Sequence, residues 1–325
     1  MENKTAVVLF NLGGPDSLAS VRGFLFNLFS DPDIFKLPLG FITQKPFAYL
    51  IAKRRLAEAQ AGYAAIGGRS PLLENTEKQA QALQQALPPH FKVVICMRYW
   101  HPLTTEVVLN LKRAGYDQVI LLPLYPQYST TTTGSSYNEF LRQCARHHYH
   151  PDIRLIAPWY GQPSYQKAIV ASIQAQLSTF SEPDPQRIEL LFSAHGLPQK
   201  IVDAGDPYET QIRATYEAII QQLGWPNTTL CYQSRVGPLK WLQPYTEQVV
   251  RAKATAGVKQ MLVYPIAFVS DHIETLYELG MTYAELAKSL GVREYHVTPA
   301  LNVQPLLIDA LKTLVLTTPS PQPPR

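Results

Sequence analysis

The sequence predicts an α/β protein made of two similar halves, each a parallel sheet covered by helices on both faces. Three observations carry this. Apolar runs of strand length alternate with helix-length segments along the whole chain. Those runs are nearly continuous in Val, Ile and Leu, as in strands buried on both faces. The chain also repeats itself: GYDQVILLPL (115–124) aligns without a gap with GVKQMLVYPI (257–266). VVLFNLGGP (7–15) matches LLFSAHGLP (190–198) after one inserted residue, and MRYWHP (97–102) loosely matches QSRVGP (233–238). The matches keep their order, and the period is far too long for a solenoid.

Taken in order, the expected strands are AVVLFNL, FKVVICM, QVILLPL and IRLIAP in the first half. IELLFSA, TTLCYQ, QMLVYPI and EYHVTP follow in the second. NTEKQAQALQQAL and DPYETQIRATYEAIIQQLG are helical patterns, the latter opened by Asp206 and Pro207. We place the first domain at 1–160, the second at 161–304, and a last helix at 305–316 packing back on the first half. The tail 317–325, TTPSPQPPR, has the composition of a disordered segment.

Composition narrows the function. Hydrophobic residues make up 46% and charged residues 17%, without an apolar run long enough for a transmembrane helix. MENKTAVVLFNLGGPDS lacks the basic start of a signal peptide. A formal charge of +4, with no Lys/Arg run, argues against nucleic acid as a partner. The three cysteines, Cys96, Cys144 and Cys231, form no CxxC, which speaks against a disulfide framework or a Cys-rich metal site. Neither G-x-G-x-x-G nor G-x-x-x-x-G-K-[ST] occurs, so nucleotide binding is disfavoured.

In parallel α/β sheets ligands bind beyond the carboxyl ends of the strands. Here those ends read NLGGP, CMRYWHP, LPLYPQYSTTTTGSS, FSAHGLP, YQSRVGP and YPIAFVSDHIE, and two such halves, if they faced each other, would make one cleft. His195 ends an apolar run and is followed at once by a Gly-Leu-Pro turn. A structural histidine bonded to backbone would look the same in sequence. DHIETLYELGMTYAEL, read as a helix, puts Asp271, Glu274 and Glu278 on one face with His272 turned away. A solvated acidic face is the competing reading, but Ile273, Leu276, Tyr277 and Leu279 surround the acids instead of Lys or Arg. Asp, Glu and His together suit a borderline divalent cation such as ferrous iron, or a proton relay. Ser193, two residues before His195, raises a Ser–His hydrolase, yet no G-x-S-x-G elbow exists. Residues 24–55 are rich in Phe and Leu, are interrupted by Pro32, Pro38 and Pro46, and end in Lys53, Arg54 and Arg55. Such an apolar lip beside a basic cluster suits a flat hydrophobic acid or a membrane surface, with Ser70 of AIGGRSP adding a carboxylate contact.

Together LFSAHGLP and VYPIAFVSDHIETLYEL resemble ferrochelatase. So do NLGGP, IGGRSP, MRYWHP, LPLYPQYSTTTTGSS, GDPY and YQSRVGP followed by WLQP, all in the family's order. The resemblance implies two Rossmann-like domains and insertion of ferrous iron into protoporphyrin IX to give protohaem. It places the catalytic histidine on His195 and the key acid on Glu274, the two also meeting the metal. Asp271, His272 and Glu278 fall on the family's proton or metal path, and Arg55, Ser70, Arg98 and Tyr99 on its porphyrin side. Thr282 stands where many relatives have another Glu, and Thr130 where some have a cluster-ligand Cys. No iron–sulfur cluster is expected, and no permanent cofactor, since iron is a substrate. A cytoplasmic enzyme touching the inner membrane face peripherally is expected. Coproporphyrin III as substrate, or a non-catalytic tetrapyrrole carrier, are the alternatives.

Overall fold

The computed structural model describes residues 4–35 and 37–318. The strands are β1 Thr5–Asn11, β2 Phe91–Met97, β3 Gln118–Pro123, β4 Asp152–Leu155, β5 Ile188–His195, β6 Thr228–Gln233, β7 Gln260–Pro265 and β8 Glu294–Val297. Every expected strand forms as a short apolar run bounded by turn residues; the central strands β1, β3, β5 and β7 are almost wholly buried, while the edge strands β4 and β8 are half-exposed. The helices are α1 Val21–Phe29, α2 Gly40–Ala65, α3 Leu72–Ala86, α4 Thr104–Ala114, α5 Ser135–Arg146 and α6 Pro163–Leu177. After them come α7 Gln199–Asp203, α8 Tyr208–Leu223, α9 Thr246–Thr255, α10 Tyr283–Ser289 and α11 Pro305–Thr317.

Two compact units result. One comprises residues 1–125, 129–158 and the segment from Ile308; the other comprises 126–128 and 159–307. The first unit is therefore not the continuous stretch 1–160. Residues 126–128 join the second because the Tyr128 amide donates to Gln211 at 2.7 Å and the Gln127 side chain to Thr215 at 3.1 Å, both on α8. The expected disordered tail lies outside the described residues from 319 onward, and α11 itself runs to Thr317.

Each unit contains a four-stranded, all-parallel sheet, ordered β2-β1-β3-β4 in one and β6-β5-β7-β8 in the other. The sequence repeats fall on equivalent strands: β1 with β5, β2 with β6, β3 with β7. The likeness continues past the sheet, for β3 and β7 each lead into a stretch of wide π-helix, Thr130–Gly134 and Glu274–Thr282. In the first core Val8, Phe10, Leu121 and Phe140 are buried; in the second, Leu191, Val250, Val263 and Leu279. Each such side chain contributes about 1.5–3 kcal/mol by leaving water.

The stretch 24–55 separates into α1 and α2, as its prolines require, but Pro46 lies inside α2 instead of ending it. Leu39, Ile42, Tyr49 and Leu50 of this region are exposed, at 66%, 61%, 52% and 64%. Among the described residues no helix is long and apolar enough to cross a membrane.

Candidate active site

The second unit builds its site on the central strand β5. His195 is the last residue of that strand, with its side chain about 35% exposed. The chain then passes tightly over the end of β6: the Gly196 amide donates to the Gln233 carbonyl at 2.9 Å. A Cβ at Gly196 would stand 2.9 Å from that same oxygen and 3.3 Å from the Trp241 ring. Only glycine fits this approach, so the residue after His195 has no side chain and the strand end is pinned. Buried Tyr208 adds a bond from its hydroxyl to the His195 carbonyl at 2.9 Å.

Glu274 opens the π-helical segment that follows β7. Its Oε2 lies 2.8 Å from His195 Nδ1, and its side chain is 21% exposed. Burial disfavours a charged imidazole here, but the charge and hydrogen bond of Glu274, with Glu278 behind, outweigh it and raise the His195 pKa above the usual histidine value. Burial likewise works against the Glu274 anion; His195 and then His272 overcome it and hold the carboxyl well below the ordinary range. Glu278 moves the other way. Its burial and the neighbouring Glu274 charge push its pKa up.

Glu274 and Glu278 share one partner that sequence reading missed. The Ser234 hydroxyl reaches Glu274 Oε2 at 3.2 Å and hydrogen-bonds Glu278 Oε2, while the Ser234 amide donates to Glu278 Oε1 at 2.8 Å. Gln233 Nε2 reaches Glu278 at 3.1 Å, as does the Tyr283 hydroxyl. The available signal was the position of YQSRVGP at the carboxyl end of the strand beside β5.

His272 is 6% exposed, with Nε2 3.9 Å from Glu274 and its ring edge-on to Phe268 at 4.4 Å. Asp271 departs from the single acidic face expected of it. The helix begins after it, and its carboxylate accepts from Asn302 Nδ2 at 2.7 Å, the Thr275 hydroxyl at 2.9 Å and the Ala300 amide at 3.1 Å. Ser193 is no nucleophile: it is fully buried, bonded to Gln233 at 2.7 Å and Thr246 at 2.8 Å. Trp241 and Phe268 stand edge-on to the His195 ring, at 6.4 and 6.5 Å. Among the described residues no three His, Cys, Asp or Glu side chains gather into a metal cage.

In the first unit, Arg98 and Tyr99 belong to a buried ionic network. Asp31 pairs with Arg98 at 3.0 Å and accepts from the Tyr99 hydroxyl at 2.6 Å and from Ser135, which also accepts from Arg98 Nε at 2.7 Å. Tyr99, expected on the porphyrin side, is 0% exposed, with its hydroxyl turned to Asp31. Arg98 keeps 12% side-chain exposure beside a cavity of about 260 Å³ lined also by Asp31, Asn27 and Glu139. Ser70 is 9% exposed and ties the AIGGRSP loop to NLGGP, its amide donating to the Pro15 carbonyl at 2.8 Å. Arg55 on α2 pairs loosely with Glu58 at 3.7 Å and keeps 32% exposure.

Comparison with known proteins fits this geometry. The profile of the ferrochelatase family matches residues 4–318. The chain belongs to the ferrochelatase family. A ferrochelatase of Synechococcus sp. (strain JA-3-3Ab) is 47% identical over 323 residues, covering 96% of this chain and 93% of that one. Another, from Geotalea daltonii, is 46% identical over 316 residues, covering 97% and 98%. In fold the chain is similar to SirB from Bacillus subtilis with Fe3+, at a TM-score of 0.55 and 10% identity, with 96% of this chain and 94% of that one covered. It is also similar to CbiX, described as the terminal enzyme of sirohaem biosynthesis in denitrifying bacteria, at a TM-score of 0.51 and 13% identity. In this ferrochelatase-family chain the motif SAHGLP thus ends β5, and SDHIETLYEL supplies Glu274, the acid bonded to its histidine.

Proposed function

We propose that this chain inserts ferrous iron into protoporphyrin IX, giving protohaem in haem biosynthesis. Family membership makes it a metal-inserting chelatase; the choice of porphyrin is our reading. The observation that carries the proposal is the 2.8 Å bond between His195 Nδ1 and Glu274 at the carboxyl end of β5.

The chemical problem is a flat macrocycle with two pyrrole N–H groups where the metal must go. Binding energy from the ring and its propionates, used to bend it, turns the nitrogen lone pairs out of plane and favours the transition-state shape. A neutral His195 that donates from Nδ1 to Glu274 presents Nε2 as the proton acceptor, and the neighbouring carboxylate strengthens it as a base. Glu274 then balances the imidazolium, and Glu278, Asp271 and His272 line the proposed route by which proton or iron travels. Arg55 is the proposed partner for a propionate, and Ser70 holds its loop in place. Arg98 and Tyr99 act by fixing the end of β2.

The apolar Phe-rich stretch 24–55 supports protoporphyrin, which carries two carboxylates, over coproporphyrin III. Exposed Leu39, Ile42 and Leu50, with exposed Lys45, Lys53 and Arg54, support peripheral contact with the inner face of an anionic membrane by a cytoplasmic enzyme. No resident cofactor and no cluster are part of the proposal. The test is anaerobic incubation of the purified protein with ferrous iron and either porphyrin, followed by porphyrin absorbance. Turnover of protoporphyrin is expected. A higher kcat/KM with coproporphyrin III would move the enzyme to that substrate, and tight binding without turnover of either would make it a carrier.

A further inference from the structure

Ser234 has a backbone φ of +64°, a left-handed conformation that favours glycine. Three residues later the chain uses Gly237 at φ +68°. At Ser234 it keeps a side chain where glycine would be easier, and that side chain points at both acids of the site. Glu278 has donors on both oxygens: the Ser234 amide and Tyr283 on Oε1, Gln233 and the Ser234 hydroxyl on Oε2. Gln233 keeps its Nε2 toward the acids because the groups it meets there, the Glu278 carboxylate at 3.1 Å and the Glu274 carbonyl at 3.4 Å, only accept, while its Oε1 accepts from Ser193 at 2.7 Å. Of these donors, the Ser234 hydroxyl is the one that also reaches the Glu274 carboxylate, at 3.2 Å. A hydroxyl has a single hydrogen, and the shorter of its two contacts, to Glu278 Oε2, is the one it serves, with Glu274 Oε2 within reach at 3.2 Å.

We propose that Ser234 is a positioning residue for metal insertion, its hydroxyl locking the Glu278 carboxylate against the His195–Glu274 pair. The inference rests on the functional reading above and deepens it. It assigns a role to a residue whose side chain bonds the two acids and not the imidazole itself. Removing the hydroxyl leaves Glu278 three of its four donors but takes away the one that also reaches the Glu274 carboxylate, and a misplacement of about 1 Å at such a site costs up to about a hundredfold in rate.

The test uses the full-length enzyme with ferrous iron and protoporphyrin IX under anaerobic conditions. Ser234→Ala removes the hydroxyl and keeps the strained backbone; Ser234→Gly removes the hydroxyl and relaxes it. Both are expected to lower kcat by about tenfold to a hundredfold while KM for porphyrin stays within about twofold, with Ser234→Gly melting no lower than wild type. In a Glu278→Gln background Ser234→Gly is expected to add less than about twofold, because the two residues act as one unit. Wild-type kcat in Ser234→Gly overturns the inference. So does a loss that multiplies fully with that of Glu278→Gln, or a loss in Ser234→Ala that Ser234→Gly restores. A wild-type enzyme that metallates neither porphyrin overturns the functional reading first, and this inference with it.

Discussion

Gly196→Ala tests whether the strand end that carries His195 is as tightly pinned as the structure has it. The new Cβ would sit 2.9 Å from the Gln233 carbonyl oxygen and 3.3 Å from the Trp241 ring. Neither neighbour yields easily. The carbonyl already accepts the Gly196 amide, and Trp241 is 9% exposed, with its Nε1 donating to Val236. Overpacking of this kind costs about 1–3 kcal/mol. At about 2–4 °C per kcal/mol for a unit of this size, the melting temperature falls by roughly 2–12 °C. The same clash moves His195, its chain neighbour, so kcat falls by about tenfold or more while porphyrin binding persists. Gly161→Ala is the control: a Cβ there meets nothing within 4 Å, and the change is expected to be neutral or to stabilise by up to about 1 kcal/mol. Thermal unfolding followed by circular dichroism, with steady-state rates, decides the matter. A Gly196→Ala protein that melts with wild type and keeps its kcat would refute the close-approach reasoning.

His195→Ala should lower kcat by about a hundredfold to ten-thousandfold, the range for a lost general base, while fluorescence titration still detects porphyrin binding. Near-normal insertion would falsify its role as proton acceptor. Glu274→Gln should move the acidic limb of the kcat profile to lower pH. The base works when neutral, its pKa is raised by the Glu274 charge and hydrogen bond, and removing them lets the ring deprotonate earlier; a limb that stays in place would show that another group sets it. In the first unit, Asp31→Asn leaves the largely buried Arg98 without its countercharge and should cost about 3–5 kcal/mol in denaturant unfolding, whereas a loss below about 1 kcal/mol would show the pair to be solvated.

The two-sheet architecture was open to sequence reading because parallel strands buried on both faces appear as uninterrupted apolar runs, and the chain contains the pattern twice. His195 stood out for a related reason, as a polar residue ending such a run; Asp271, Glu274 and Glu278 were read together as one acidic face, and the resemblance alone singled out Glu274. The rest depended on geometry that spacing does not carry. An α-helical period places Asp271 on the face of Glu274, but the helix starts after Asp271 and is wound as a π-helix, so Asp271 turns to Asn302 and Ala300. The resemblance puts Tyr99 of MRYWHP on the porphyrin side, and only packing reveals that Asp31, 68 positions earlier, takes its hydroxyl indoors. Ser234 was hidden because a lone serine carries no periodicity, and its reach depends on a backbone angle.

The repeated topology has an electrical consequence. In each unit the strand end beside the central strand is joined to the turn of helix after the following strand. Arg98 meets Ser135 in the first; Ser234 meets Glu274 and Glu278 in the second. The first joint closes its own circuit, one guanidinium against one carboxylate. The second is left open. With both carboxylates ionised and the imidazole neutral it carries two uncompensated negative charges, and each proton it takes up cancels one of them. A joint that gives up its protons therefore deepens its own negative charge, whereas the first joint keeps its balance.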